Sequence, residues 1–270
     1  MSAQSGYQIS NDAAKAREQY SVRFFLGPWT PGLVALAALQ PGERVLDLAC
    51  GSGLVARLVA PEVGRTGQVT GLDINAAMLD VARSLPPPAG ATITWVQASA
   101  EAMGLPDASF DAILCQQGFQ FFPDKPAALR EMHRVLARAG RLLFSVWRSG
   151  GPYNFALGDA LERYVGSEVA KKFRSNRVLV PDADTLHRML VEAGFRGVEI
   201  RPSAMTVRLP PMESFVLGHI SGMPIAEAVA AVSDDRRAAL VTHVKTALQP
   251  YADRDGVCVP DEINIAMAQK

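Results

Sequence analysis

One stretch restricts this chain more than any other: Val45-Leu46-Asp47-Leu48-Ala49-Cys50-Gly51-Ser52-Gly53. A short apolar run with strand character enters a turn of small residues, and helical spacing of apolar side chains resumes over 53–60. Such a strand–turn–helix unit presents the free N–H groups of a helix start beyond the end of a buried strand. Glycine there lets a ligand approach the backbone closely. Twenty residues past Gly53, Asp73 ends the next apolar run, where a carboxylate reaches both hydroxyls of a ribose.

The rest of the chain repeats this rhythm. Apolar runs at 44–49, 68–73, 92–97, 110–115 and 141–147 read as five strands, with helical patterns at 53–60, 76–84 and 127–139, the last stopped by Gly140. Alternation at this spacing implies parallel βαβ units and a sheet covered on both faces. Beyond Trp147 the pattern changes. Helices are expected at 153–165 and 182–193, a long strand at 198–209, helical segments over 212–251 broken at Pro224 and near Ser233, and a last strand at 257–268. The expected architecture is α/β, one domain over 1–270. Residues 1–43 form N-terminal lid helices, 44–147 the ligand-binding core, and 148–270 a C-terminal part whose segment 212–251 is inserted as a helical cap between the last two strands.

Bulk properties narrow the function classes. Lys+Arg and Asp+Glu number 27 each, so the chain lacks the basic excess that a nucleic-acid partner requires. Arg130, Arg134, Arg138 and Arg141 form the one local basic cluster, read here as a solvated helix face. The polar start and the short apolar runs predict neither a signal peptide nor a membrane span, and a cytoplasmic protein is expected. Cys50, Cys115 and Cys258 are scattered, which suits neither a disulfide framework nor a metal site.

The glycine loop itself has two readings. Gly51-x-Gly53-x-x-Ala56 satisfies a dinucleotide fingerprint. Asp47, however, enters the loop as an acid that repels a pyrophosphate and suits a ligand bearing an ammonium group. An NAD-dependent oxidoreductase is therefore the lesser alternative.

From about residue 45 to 147 the chain resembles the class I S-adenosylmethionine-dependent methyltransferases, in the branch containing the ubiquinone/menaquinone C-methyltransferases. Asp47-x-x-x-Gly51-x-Gly53 resembles the first motif, Asp73-Ile74 the second-strand acid and its apolar neighbour, and Ser99-Ala100-Glu101-Ala102-Met103-Gly104-Leu105-Pro106-Asp107 followed by Ser109-Phe110-Asp111 the third. Glu131-x-x-Arg134-Val135-Leu136 resembles a structural run before the fifth strand. The resemblance implies a seven-stranded doubly wound sheet and S-adenosyl-L-methionine as cofactor, held by Asp47, Ala49, Gly51, Gly53, Asp73, Ile74, Ser99, Ala100 and Gln116. Ser99 departs from the pattern, since relatives commonly carry an Asp that accepts from the adenine amino group. A neutral hydroxyl is a weaker acceptor.

Methyl transfer to a small, partly apolar acceptor is the function this implies; a cofactor-binding protein that does not methylate is the alternative. No histidine declares itself as a base: His133, His187 and His243 sit on polar helices, while His219 lies inside the cap segment. His219, Gln117 and Gln120 are the candidates for acting on the acceptor. Tyr20, Phe24, Phe25 and Trp29, with Met205, Met212, Phe215 and Met223, suggest an apolar acceptor pocket. Oligomeric state stays open, a homodimer included.

Overall fold

The computed structural model describes residues 8–148, 150–178 and 180–270, with backbone alone at 176–178, so the first seven residues of the expected lid lie outside the described residues. Its sheet runs β3-β2-β1-β4-β5-β8-β6. The strands are β1 (Arg44–Leu48), β2 (Gln68–Asp73), β3 (Ile93–Gln97), β4 (Phe110–Gln116), β5 (Leu136–Trp147), β6 (Arg196–Leu209) and β8 (Gly256–Gln269), with a two-residue β7 (Ala252–Asp253) on β8. The first five are parallel, and β8 is antiparallel to both β5 and β6.

Period-two alternation sends side chains of the central strands to two apolar layers. Leu46, Leu48, Ile113 and Phe144 join one, with α5 (Lys125–Val135) and α8 (Ala183–Glu192). Val45, Ala112, Leu114 and Leu143 join the other, with α2 (Thr30–Leu36) and α3 (Leu54–Val63). That double burial is why the strands read as near-continuous apolar runs. α4 (Ala76–Ser84) follows β2, its first turn capped by Asn75.

The 127–139 helix is a correction. α5 stops at Val135, and Leu136 is already extended and fully buried opposite Phe110. Burying Leu136 in the core outweighs the helix preference of the following Ala-Arg-Ala. Ala137 to Gly140 then form an irregularity, because Arg141 is next in register with Ala112. Gly140 is required there: a Cβ would meet the Ala137 carbonyl oxygen and a Leu136 methyl, each at 2.9 Å. α3 also outruns its expected end, continuing to Val63 through Pro61 because Val59, Ala60 and Val63 are buried.

Before the core, α1 (Asn11–Ala16) passes into a π-helical run, Arg17–Leu26. After it, α6 (Gly151–Tyr164), α7 (Ser167–Val178), α9 (Met212–Ser221), α10 (Ala226–Ala230) and α11 (Asp234–Ala247) build a third apolar cluster with Phe25 and the ends of β6 and β8. α7 escapes sequence reading because Ala170 and Phe173 are its buried anchors in an otherwise charged stretch. No helix among the described residues is long and apolar enough to cross a membrane.

Candidate functional site

In an open α/β sheet the crevice lies beyond the carboxyl ends of the strands. β1, β2 and β4 deliver Asp47, Asp73 and Gln116 there, and two chambers open side by side. The first, about 130 Å³, is walled by Asp47, Ala49, Gly51, Asp73, Ile74, Ser99, Ala100 and Gln116. Eight of the nine residues expected to hold the cofactor thus come together.

Gly53 is the exception. It does not line the chamber; its φ of 83° starts α3, and a Cβ there would stand 2.2 Å from the Trp95 ring. Its glycine serves the turn and the packing of Trp95. Ala49 and Gly51 are also left-handed, with φ of 56° and 55°. The loop therefore curls so that Gly51 donates its N–H to Oδ2 of Asp73 at 2.8 Å.

Both acids are buried. Oδ2 of Asp47 accepts from the Ala56 N–H at 2.9 Å, in the first turn of α3. Burial pushes its carboxyl up to about 8, opposed by the Ala56 bond and reinforced by the negative charge of Asp73. Asp73 is also raised by burial, against the bonds from Asn75 and Gly51. Two carboxyls that shun ionisation in one chamber favour a cationic ligand, which relieves both penalties.

The second chamber, about 390 Å³, shares Arg17, Leu26, Gln117 and Phe121 with the first. Phe25, Trp147, Phe173 and Met223 give it apolar walls, while Gln117, Gln120 and His219 contribute polar atoms. Gln117 stands out: its φ is 53°, it is 4% exposed, and neither Oε1 nor Nε2 has a hydrogen-bond partner among the described residues. The strain has a steric source. A Cβ on the next residue, Gly118, would come within 2.5 Å of Ala49 Cβ, so the chain leaves β4 pressed against the glycine loop. Gln120 accepts from the Trp147 N–H through Oε1 at 3.4 Å, and its Nε2 has no partner among the described residues.

His219 lies on α9 with Nδ1 2.9 Å from the Tyr153 hydroxyl and its ring stacked on Phe215. The other histidines stand elsewhere: His133 packs against Phe195, His187 is exposed, and His243 meets Tyr164. Of the expected apolar set, Phe25 and Met223 reach the second chamber. Tyr20, Phe24, Met212 and Phe215 pack among themselves in the third cluster, with Met205 on its margin. Trp29 is buried against the opposite layer.

The N-terminal segment closes over both chambers. Glu18 accepts from the Ser52 hydroxyl, Thr30 Oγ1 donates to Gln116 Oε1 at 2.9 Å, and Gln116 Nε2 donates to the Leu26 carbonyl at 2.9 Å. The Gln116 amide is thus engaged in holding this segment, although its side chain borders the first chamber. Arg17, Lys172 and Phe173 were not foreseen: each sits in a charge-rich stretch where no period or motif marks it. Two of the four arginines on α5 and β5 are ion-paired, Arg134 with Glu131 at 2.6 Å and Arg141 with Glu43 at 2.6 Å. Among the described residues no group of His, Cys, Asp or Glu is arranged to hold a metal.

Comparison with known proteins gives concordant results. The family profile described as a methyltransferase domain matches residues 46–144. The ubiquinone/menaquinone biosynthesis C-methyltransferase UbiE of Shewanella frigidimarina is 35% identical over 208 residues, covering 72% of this chain and 79% of that protein. Its Escherichia coli counterpart is 37% identical over 186 residues, covering 63% and 73%. Among solved structures, YcgJ of Bacillus subtilis superposes with a TM-score of 0.58 at 19% identity, over 89% of this chain and 97% of its own. Phosphoethanolamine N-methyltransferase 2 of Haemonchus contortus gives 0.60 at 22%, over 97% and 57%. At such identities these two speak to the fold.

Proposed function

This chain belongs to the class I S-adenosylmethionine-dependent methyltransferases, and we propose that it methylates a flat, oxygen-bearing, partly apolar small molecule held in the second chamber. One observation carries the reading: the aromatic-walled second chamber shares Gln117 and Phe121 with the acid-lined first one, so whatever fills it abuts the cofactor. The likeness to UbiE, a C-methyltransferase of quinone biosynthesis, favours a ring carbon activated by a neighbouring hydroxyl. We read the protein as cytoplasmic and residues 1–270 as one domain, with α6 and α7 joining 212–251 as the cap.

The residues of the first chamber fit the cofactor. Asp47 and Asp73 suit a cation and a ribose diol, and Ile74 supplies an apolar face for the base. Arg17 suits the carboxylate of the amino-acid end. S-adenosylmethionine, when bound, supplies the methyl group on a sulfonium, so the protein is left to orient and desolvate. Holding two reactants in line accounts for about 7–11 kcal/mol of a barrier. Here Gln117 is assigned to the acceptor. Its amide offers one donor and one acceptor to a hydroxyl or carbonyl on the ring, with Gln120 Nε2 as a second donor. His219, held at Nδ1 by the Tyr153 hydroxyl, lines this chamber and is the group assigned to take a hydroxyl proton. The aromatic walls and the N-terminal segment exclude water, which strengthens each of these polar contacts.

The test is transfer of a labelled methyl group to 1,4-dihydroxynaphthalene kept reduced, beside a phenol, a thiol and an amine. Label on a ring carbon is the expected product. Label on the thiol or amine alone, or on none of the four, refutes the acceptor class.

A further inference from the structure

The two chambers differ in the sign of their charge. Asp47, Asp73 and Glu101 border the first, whereas no Asp or Glu borders the second among the described residues, and its charged groups are Arg17 and Lys172. Acidic and basic residues are equal in number over the chain, so this separation is local. Arg17 is common to both chambers, and its charge acts on Asp73 of the first. Lys172 belongs to the second alone. It stands exposed on α7, and its Nζ donates to the Pro224 carbonyl, in the turn between α9 and α10, at 3.3 Å. Glu168 lies one turn earlier on α7, at the spacing of a helix-surface ion pair. Even so, no carboxylate among the described residues pairs with Lys172. An ammonium has three N–H donors, and Pro224 takes one of them. Two donors and a full positive charge are left at an aromatic-walled chamber, with the Asn154 amide of α6 beside the same space.

We propose that the acceptor is an aromatic acid, its oxygen-bearing ring against Gln117 and a carboxylate elsewhere on the molecule held by Lys172. The inference rests on the acceptor reading of this chamber and adds the charge that its substrate carries. With Arg17 given to the cofactor, one ammonium remains, which matches a single negative charge. Placement supports the assignment: Gln117 and Phe121 belong to the wall common to both chambers, and Lys172 and Pro224 do not. The carboxylate therefore sits away from the transferred methyl group, and holding it fixes which edge of the ring is presented. Lys172 acts here on specificity and orientation and takes no part in the chemical step.

Two ligands of one shape and different charge test the idea: 1,4-dihydroxynaphthalene-6-carboxylate and the matching 6-carboxamide, both kept reduced. Calorimetry on the whole chain saturated with S-adenosylhomocysteine should show the carboxylate bound about fivefold more tightly than the carboxamide, the upper range of an exposed ion pair. The preference should shrink as salt rises from about 0.05 M to about 0.5 M, where the screening length falls to a few ångströms. Lys172→Ala should bring the two affinities within about twofold, with carboxamide binding and melting temperature as in the wild type. Lys172→Arg should keep the preference. Equal binding of the two ligands by the wild type overturns the proposal, as does a preference that survives in Lys172→Ala. If neither ligand binds, nor 1,4-dihydroxynaphthalene itself, the acceptor reading of the chamber falls and this inference with it. Binding of the uncharged ligands without any gain for the carboxylate removes this inference alone.

Discussion

Trp29 donates its indole Nε1–H to Oδ2 of Asp261 at 2.8 Å, a buried bond between residues 232 apart in sequence. It fastens the start of the chain to the last long strand, immediately beside the β5–β8 pairing. The segment over the chambers is therefore anchored at Asp261 as well as by Thr30 and Gln116.

Trp29→Phe keeps the apolar bulk and removes the donor. It should cost about 1–3 kcal/mol in urea unfolding, since a buried acceptor loses a partner. Affinity for S-adenosylhomocysteine should fall with it, because the anchored segment carries Arg17. A variant as stable as the wild type would show that the bond contributes nothing net.

Asp47 offers a test in pH. Its folded value near 8 lies far above the ordinary 3.8, so folding takes up a proton between the two. Stability contributed by this group is accordingly full at low pH and declines as pH rises toward about 8, with a slope on the order of 1.4 kcal/mol per pH unit. Asp47→Asn removes that slope, and the difference between the two chains, measured by urea unfolding at about pH 5 to 8.5, should grow in favour of the variant as pH rises. Parallel curves would mean that Asp47 is ionised throughout.

The same acid couples to the ligand. A cation entering the first chamber favours the ionised form, so binding at neutral pH should release protons and the calorimetric heat should vary with the buffer's ionisation enthalpy. The dependence should be smaller in Asp47→Asn, where Asp73 is the one raised carboxyl left in the chamber. Equal buffer dependence in the two chains would assign the protons elsewhere.

Asp73→Ala should weaken S-adenosylhomocysteine by about 1.5–3 kcal/mol for each ribose hydroxyl bond lost. Oδ2 and Oδ1 of Asp73 also hold the Gly51 and Asn75 N–H groups, so a loss of melting temperature should accompany it. Asp73→Asn, which keeps one carbonyl acceptor, should fall between.

Gly53→Ala separates packing from binding. The left-handed backbone and the 2.2 Å approach to Trp95 both oppose a methyl group, and destabilisation of about 1–3 kcal/mol is expected. In a Trp95→Ala background the cost should shrink to the backbone part alone, a coupling that a double-mutant cycle reads. A cofactor role would instead lower affinity with stability intact.

Much of this was legible beforehand. β2 and α4 begin and end where periodicity sets them, and Asp47, Gly51 and Asp73, singled out by chemistry and spacing, line one chamber. The α5–β5 junction was not, because Ala137-Arg138-Ala139 carries helix propensity and only the pairing of Leu136 with Phe110 decides against it. Gly53 misled for another reason: a glycine needed for a Trp two strands away looks the same in sequence as one that makes room for a ligand. The strain at Gln117 arises where the end of β4 meets the glycine loop, and no local pattern encodes that.

The order of the sheet has a consequence for how the chain is made. β8 is the last strand in sequence, yet it lies between β5 and β6. Until Gly256–Gln269 has left the ribosome, the hydrogen-bonding edge of β5 from Arg141 to Trp147 has no native neighbour. At about 5–20 residues per second, that edge waits on the order of ten seconds after it emerges. During that interval the nascent chain carries an open, apolar strand edge of the kind that recruits other strands, which makes this span of synthesis the time of greatest need for a chaperone.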